Sequence, residues 1–336
     1  MTPPPRSSPL LRLVARSDDG LPVLRNLVRA GIGSAFGRRP PFDPHADPGD
    51  RGLLGPSAVS WGLVAEPAAI VGGIRALLVQ LLHPLAMAGV HDHSRYRDDP
   101  LGRLTGTSSY VTTSVFGSTR QALAVARRVR GVHTKVTGVA PDGRAYRADD
   151  PRLLTWVSVA FTSSLLATDR AYAPRPVTGA EADSFVEEQS RISALLDPRV
   201  DLDALGHDEG RLSALRSGAL ALPMLEEGLL PRTEAELRAA LEAFEPHLAV
   251  GDQAREAMRF LLWPNLSPAL RAGYLPLLAG AVATLEPRHR ALLGLPASPL
   301  AVWPLAVNSR ALLTGLRLAS GTSPARAAAL RRAAAA

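Results

Sequence analysis

The chain has 336 residues, 46% of them hydrophobic and 21% charged, a balance that excludes a disordered chain and is sufficient for a large buried core. It has no cysteine, which excludes disulfides, thiolate nucleophiles and Cys-held metals. Arginine carries nearly all the basic residues behind the net charge of +7, Lys135 being the one lysine; the arginines are scattered among few aromatics, so no nucleic-acid partner is expected.

The N-terminus has no apolar run followed by a small-residue cleavage site. The most apolar stretch, 76–90, is shorter than the roughly 20 residues of a membrane span and contains His83-Pro84. A cytoplasmic chain without a transmembrane segment is the expectation. Residues 1–55 are rich in Pro, Gly and Arg, and RRPPFDPHADPGDRG (38–52) is a cluster of helix breakers, so this part reads as an extended arm over the surface. Residues 56–315 read as one helical domain. Residues 316–336 read as an Ala/Arg-rich tail, weakly helical and frayed.

Glu66-Pro67 opens the apolar run AAIVGGIRALLVQLLHPLAMAGV, whose composition predicts a buried helix. Arg75 is its only charge, and Arg75, Val79 and His83 follow one another at steps of four along one side. A buried arginine requires an anionic partner, either Asp or Glu or the carboxylate of a cofactor. Pro84 kinks or ends the helix. HDHSRYRDDP (91–100) reads as a polar loop, with Asp99 capping a helix that starts at Pro100. Arg103, Thr107 and Tyr110 then make a polar stripe at i, i+4, i+7, either a cavity wall or a solvated face.

Thr119 to Gly138 reads as an amphipathic helix capped by Gly138. Ala122, Ala126, Val129, His133 and Val136 form its inward stripe, and Arg120, Arg127, Arg128 and Arg130 fall mostly off it. His133 is thereby an inward histidine near a helix end, either a core residue or a ligand. Pro141-Asp142-Gly143 predicts a turn followed by an extended piece through Tyr146, without a convincing hairpin. Asp150-Pro151 starts a central helix with Leu154, Val157, Phe161 and Leu165 on one stripe. Its Ser158, Thr162, Ser163 and Ser164 either bond back to helix carbonyls or face a pocket. Thr178 with Glu181 and Thr233 with Glu236 read as capping boxes, and Ser267-Pro268 and Ser298-Pro299 as helix starts. About ten helices in a single all-α domain result.

Two readings remain open on these residues alone. His83, His91 and His93, with Asp92, Asp98 or Asp99, are a candidate set for a non-haem metal hydrolase or oxygenase. A helical binding protein without chemistry is the other alternative.

GGIRALLVQLLHP (72–84), HSRYRDDPLGRLTGT (93–107), VHTKVTG (132–138) and PDGRAYRADDPRLLTWV (141–157), followed by AELRAALEAFEPHLAV, EAMRFLLWPNLSPALRAGY and RALLGLP, resemble in order and spacing a known catalytic domain. It is the one shared by MpaB-type oxygenases and the rubber oxygenase latex-clearing protein. The resemblance runs from about 57 to 297. It implies an all-helical, globin-like packing around haem b and oxidative chemistry with dioxygen. His133 matches the histidine that ligates the haem iron, and Arg103 and Thr107 match an R-x-x-x-T element close to the haem. Arg75 and Arg103 then suit the haem carboxylates, and His83 a distal position or a second ligand. Gly106 stands where rubber oxygenases carry a lysine, and no export signal is visible, so polyisoprene is not implied. A small or medium, largely apolar substrate is expected.

Overall fold

The computed structural model describes residues 39–94 and 100–335, except the side chains of residues 100–104, 269 and 320. Among these residues the chain is all-α, with sixteen α-helices and one two-stranded hairpin. In chain order they are α1 (Val59–Ala65), α2 (Ala68–Gln80), α3 (Pro84–His93), α4 (Pro100–Phe116), α5 (Thr119–His133), strands β1 (Thr137–Val139) and β2 (Ala145–Arg147), and α6 (Pro151–Tyr172). There follow α7 (Ala180–Ala194), α8 (Leu202–Gly206), α9 (Glu209–Ser217), α10 (Pro223–Glu226), α11 (Glu234–Phe244) and α12 (Asp252–Leu262). The last four are α13 (Pro268–Ala283), α14 (Pro287–Leu292), α15 (Pro299–Ser320) and α16 (Pro324–Ala334).

The centre is the pair α2 and α6, the two helices whose sequences are apolar nearly all round. Val71, Leu78 and Val79 of α2 and Trp156, Val159 and Leu165 of α6 are buried in the same core. Asp150 starts α6 as expected, its Oδ1 accepting from the amides of Arg152 and Leu153 ahead of Pro151. Gly72 lets the two backbones approach at Leu165 and Thr168. Arg75 finds its partners inside this core. Its Nη1 donates to Ser164 Oγ at 2.9 Å and its Nε to the Thr284 carbonyl at 3.1 Å. Burial pushes its pKa down to about 10, and Glu286 opposes the shift. Arg75 thus pins α2 to α6 and to the end of α13.

Several local expectations are corrected. The helix that opens at Thr119 ends at His133, and Gly138 belongs to β1. Past His133 the β-branched Val136, Thr137 and Val139 favour an extended chain, which pairs antiparallel with Ala145–Arg147 across the Pro141-Asp142-Gly143 turn. A hairpin therefore exists where none was expected. Gly143 has φ +83°, and a Cβ on Gly138 would lie 2.5 Å from the Tyr146 hydroxyl, so both positions require glycine. His91 and His93 lie in α3 and not in a loop. At α7 the N-cap is Gly179 without a side-chain cap, so Thr178 and Glu181 form no capping box; Glu181 instead pairs with Arg175 at 2.8 Å.

The chain end is docked, where fraying was expected. Arg332 of α16 is 2% exposed and donates to the carbonyls of Asp50, Phe116 and Gly117. Asp99, read as a cap, and residues 1–38 lie outside the described residues. Among the described residues no single helix is long and apolar enough to cross a membrane, although α1 and α2 together, bent by 88°, reach the required length and composition.

Candidate functional site

A cavity of about 1460 Å³ follows α6 from Leu153 to Tyr172. It exceeds the roughly 300–1,000 Å³ of an ordinary small-molecule pocket. At 1.5 Å of rise per residue it follows α6 for roughly 28 Å. α2 and α3 supply the facing wall through Gly73, Leu77 and Gly89, and α4 contributes Thr107 and Tyr110.

The two ends differ in chemistry. At the N-terminal end of α6 the lining includes His133, Val136 and Tyr146, with Ala148 next to the start of the helix. At the C-terminal end it includes Arg170 and Tyr172 of α6, Arg310 and Arg317 of α15, and Arg326 of α16. The helix contacts place these ends securely. Arg310 and Arg317 donate to the carbonyls of Ala171 and Tyr172, whereas Asp149 is the charge that acts on His133.

His133 is held in place by both ends of α5. The Ser118–Gln121 capping box starts that helix, and Asp47 and Asp50 accept hydrogen bonds from Ser118 and Thr119. At the other end Arg130 donates to the carbonyls of Pro198 and Val200, and the Ala148 amide donates to the Val136 carbonyl at 2.9 Å. The imidazole is half-buried and lines the cavity. Its Nδ1 is buried with no hydrogen-bond partner among the described residues. Burial holds its pKa below the usual imidazole value, with Asp149 opposing, so the ring is neutral near pH 7.

Of the other residues singled out from the sequence, Thr107 lines the same cavity. The side chain of Arg103 lies outside the described residues. Gly106 and Gly73 both line the cavity, and a Cβ on either meets nothing within 4 Å. The structure does not bring Arg75 or His83 into this lining. Arg75 is engaged in the core described above.

His83 caps α3. Its Nδ1 accepts from the Ala86 amide at 3.4 Å, and its ring packs 5.6 Å from Trp156 and 6.0 Å from Phe244. Burial, with the Arg144 guanidinium nearby, pushes its pKa down to about 4. On acidification the unfolded chain therefore binds this proton first. Stability conferred by the neutral ring is complete above the unfolded value, roughly 6.5, and is lost as pH falls from there toward 4. His83→Asn keeps an N-cap acceptor and removes the titration. Urea unfolding across that window is expected to show a shallower acid loss in the variant than in the wild type; parallel losses would place the pH dependence elsewhere.

The non-haem set does not assemble. His91 bonds to Asp92, Glu256 and Gln253, while His93 Nε2 contacts the Thr137 carbonyl at 3.1 Å. Positions i and i+2 of a helix face apart. Among the described residues no three His, Asp or Glu side chains are placed to hold a metal.

Of the small polar residues on α6, Ser163 and Ser164 bond back to the Ala160 carbonyl, and Ser158 lines the cavity and donates to Ser193 Oγ. Sequence reasoning passed over Arg128 and the arginines of α15. Arg310, Thr314 and Arg317 repeat the i, i+4, i+7 spacing of Arg103, Thr107 and Tyr110, which was a usable signal.

The family model described as "ER-bound oxygenase mpaB/B'/Rubber oxygenase, catalytic domain" matches residues 61–318. No curated protein and no solved structure matches the chain.

Proposed function

The chain belongs to the family of mpaB-type and rubber oxygenases through their catalytic domain, and on that premise we propose that it is a haem b-dependent oxygenase acting with dioxygen on a largely apolar small molecule. The observation that carries this reading is His133, a neutral imidazole on the cavity wall whose Nδ1 has no protein partner among the described residues. Neutral imidazole is the form that ligates iron. The wall fits a flat apolar group: Gly73 and Gly106 leave open space where side chains would project, and Val129, Val157 and Phe161 are apolar.

In this reading His133 holds the iron. Arg128 lies on the same wall and has no ion pair or hydrogen bond among the described residues, so its guanidinium is available to the haem carboxylates. Thr107 presents its side chain to the same cavity from α4. Haem, when bound, supplies the dioxygen chemistry that no side chain can.

The test is a titration of the purified protein with haemin, followed in the visible. A saturable Soret band at one haem per chain is expected. A protein that stays colourless, or that carries iron or zinc without porphyrin, overturns the reading.

A further inference from the structure

The arginine end of the cavity is unexplained by haem binding at His133, since the two lie at opposite ends of α6. Arg170, Arg310 and Arg317 lie there, and Arg326 lines the same cavity from α16, which packs on α1 and α4. Two are matched by carboxylates: Arg170 makes a bidentate pair with Glu234 at 2.8 and 2.6 Å, and Arg317 binds Glu66 at 2.7 Å. The other two have no carboxylate partner among the described residues. Among the described residues the Arg310 guanidinium donates to the Ala171 carbonyl alone. Arg326 has a buried Nε with no hydrogen-bond partner among the described residues, and its backbone amide donates to Ser323 Oγ. A guanidinium nitrogen that is both desolvated and unpaired loses its hydration without compensation, which a bound anion would restore.

The remaining charge nearby is Asp169. It is buried, accepts from the Val177 amide at 2.8 Å, and burial raises its pKa. Glu234 is shared with Arg238 at 3.5 Å, so the arginines of this end outnumber its carboxylates. Thr314, Thr322 and Ser323 add hydroxyl groups to the same lining. Arg310 and Thr322 are exposed, so this end opens to solvent. From there the wall turns apolar along α6 through Leu165, Phe161 and Val157, the last of them 40% exposed, toward His133.

A channel with a cationic mouth, an apolar barrel and an imidazole at its far end selects an amphipathic chain. We propose that Arg310 and Arg326 bind the carboxylate head of a long-chain monocarboxylate, whose apolar tail lies along α6 and points toward His133. The oxygenase reading is needed only to say which end of the bound chain reacts. The excess of arginine suits an anionic head, and the apolar wall beyond it favours a chain long enough to cover that wall over a short acid.

The test is calorimetric binding of dodecanoate, dodecanol and butyrate to the full-length protein, with its haem content recorded. Dodecanoate is expected to bind at least tenfold more tightly than dodecanol, and butyrate not measurably. In Arg310→Gln/Arg326→Gln, dodecanoate is expected to weaken at least tenfold while dodecanol is unchanged, which also reports an intact channel. If that double variant does not fold, Arg326→Gln and Arg326→Lys replace it, the lysine retaining and the glutamine losing the preference. Equal affinities for the acid and the alcohol, or a preference that survives loss of the arginines, overturn the proposal. Because no turnover is measured, absence of haem uptake with the preference intact would sink the oxygenase reading alone.

Discussion

His133→Ala is expected to fold normally and to lose haem. His133 makes no hydrogen bond through Nδ1 among the described residues and is only half-buried. Its truncation therefore orphans no partner and removes one buried unsatisfied atom, so a stability change within about 1 kcal/mol is expected. The loss in haem affinity is expected to be at least about 100-fold, because removing a ligand costs more than removing the outer partner of one. The Soret titration and a thermal melt of the same samples check both halves. Imidazole added to the variant is expected to restore part of the band, which a merely structural role would not do. Unchanged haem uptake in a folded His133→Ala protein would move the ligand elsewhere.

Gly72→Val is expected to be the most destabilising single substitution proposed, while Gly73→Ala, one position on, is expected to be neutral or slightly stabilising. A Cβ on Gly72 would lie 2.6 Å from Leu165 Cδ2, 2.8 Å from Thr168 Oγ1 and 3.3 Å from Leu165 Cα. The leucine tip can rotate, but the backbone atom and the Thr168 side chain, which is tied to α6 carbonyls, cannot yield without parting α2 from α6. Overpacking of this kind costs about 3 kcal/mol, and a β-branched residue adds a small helix penalty. At Gly73 a Cβ meets open cavity, and alanine gains roughly 0.5–1 kcal/mol of helix propensity over glycine. Urea midpoints of the two variants separate the cases; similar shifts for both would mean that close approach at Gly72 does not hold the core together.

The pairing of those glycines shows what a pattern conveys and what it omits. GGIRALLVQ announces a buried helix, but two adjacent glycines are identical in sequence and opposite in environment. One is needed for close packing and the other opens a cavity, and only the position of α6 distinguishes them. Arg75 is a similar case. Its burial follows from the apolar run around it. Its partner does not, because Ser164 and Thr284 are 89 and 209 residues away in the chain. A buried arginine is satisfied as well by a hydroxyl and a carbonyl as by a cofactor carboxylate.

The sequence by itself determined the helical class, the starts at Pro100, Pro151, Pro268 and Pro299, and the presence of His133 on an inward stripe. These depend on local periodicity and on caps within four residues of each helix start, where the physics is short-range. The family resemblance added the ordering of the segments, which periodicity cannot supply. Only the tertiary structure decided that His133 and Thr107 line one cavity while Arg75 and His83 do not, and that Arg310, Arg317 and Arg326 gather at the opposite end of α6. Such groupings come from helices distant in sequence meeting across a core, and their energy lies in contacts that no local window contains. The hairpin after His133 falls between these limits. Its turn was legible in Pro141-Asp142-Gly143, but the pairing depended on Tyr146 closing over Gly138 and donating to Asp92 at 2.6 Å, a contact 54 residues long.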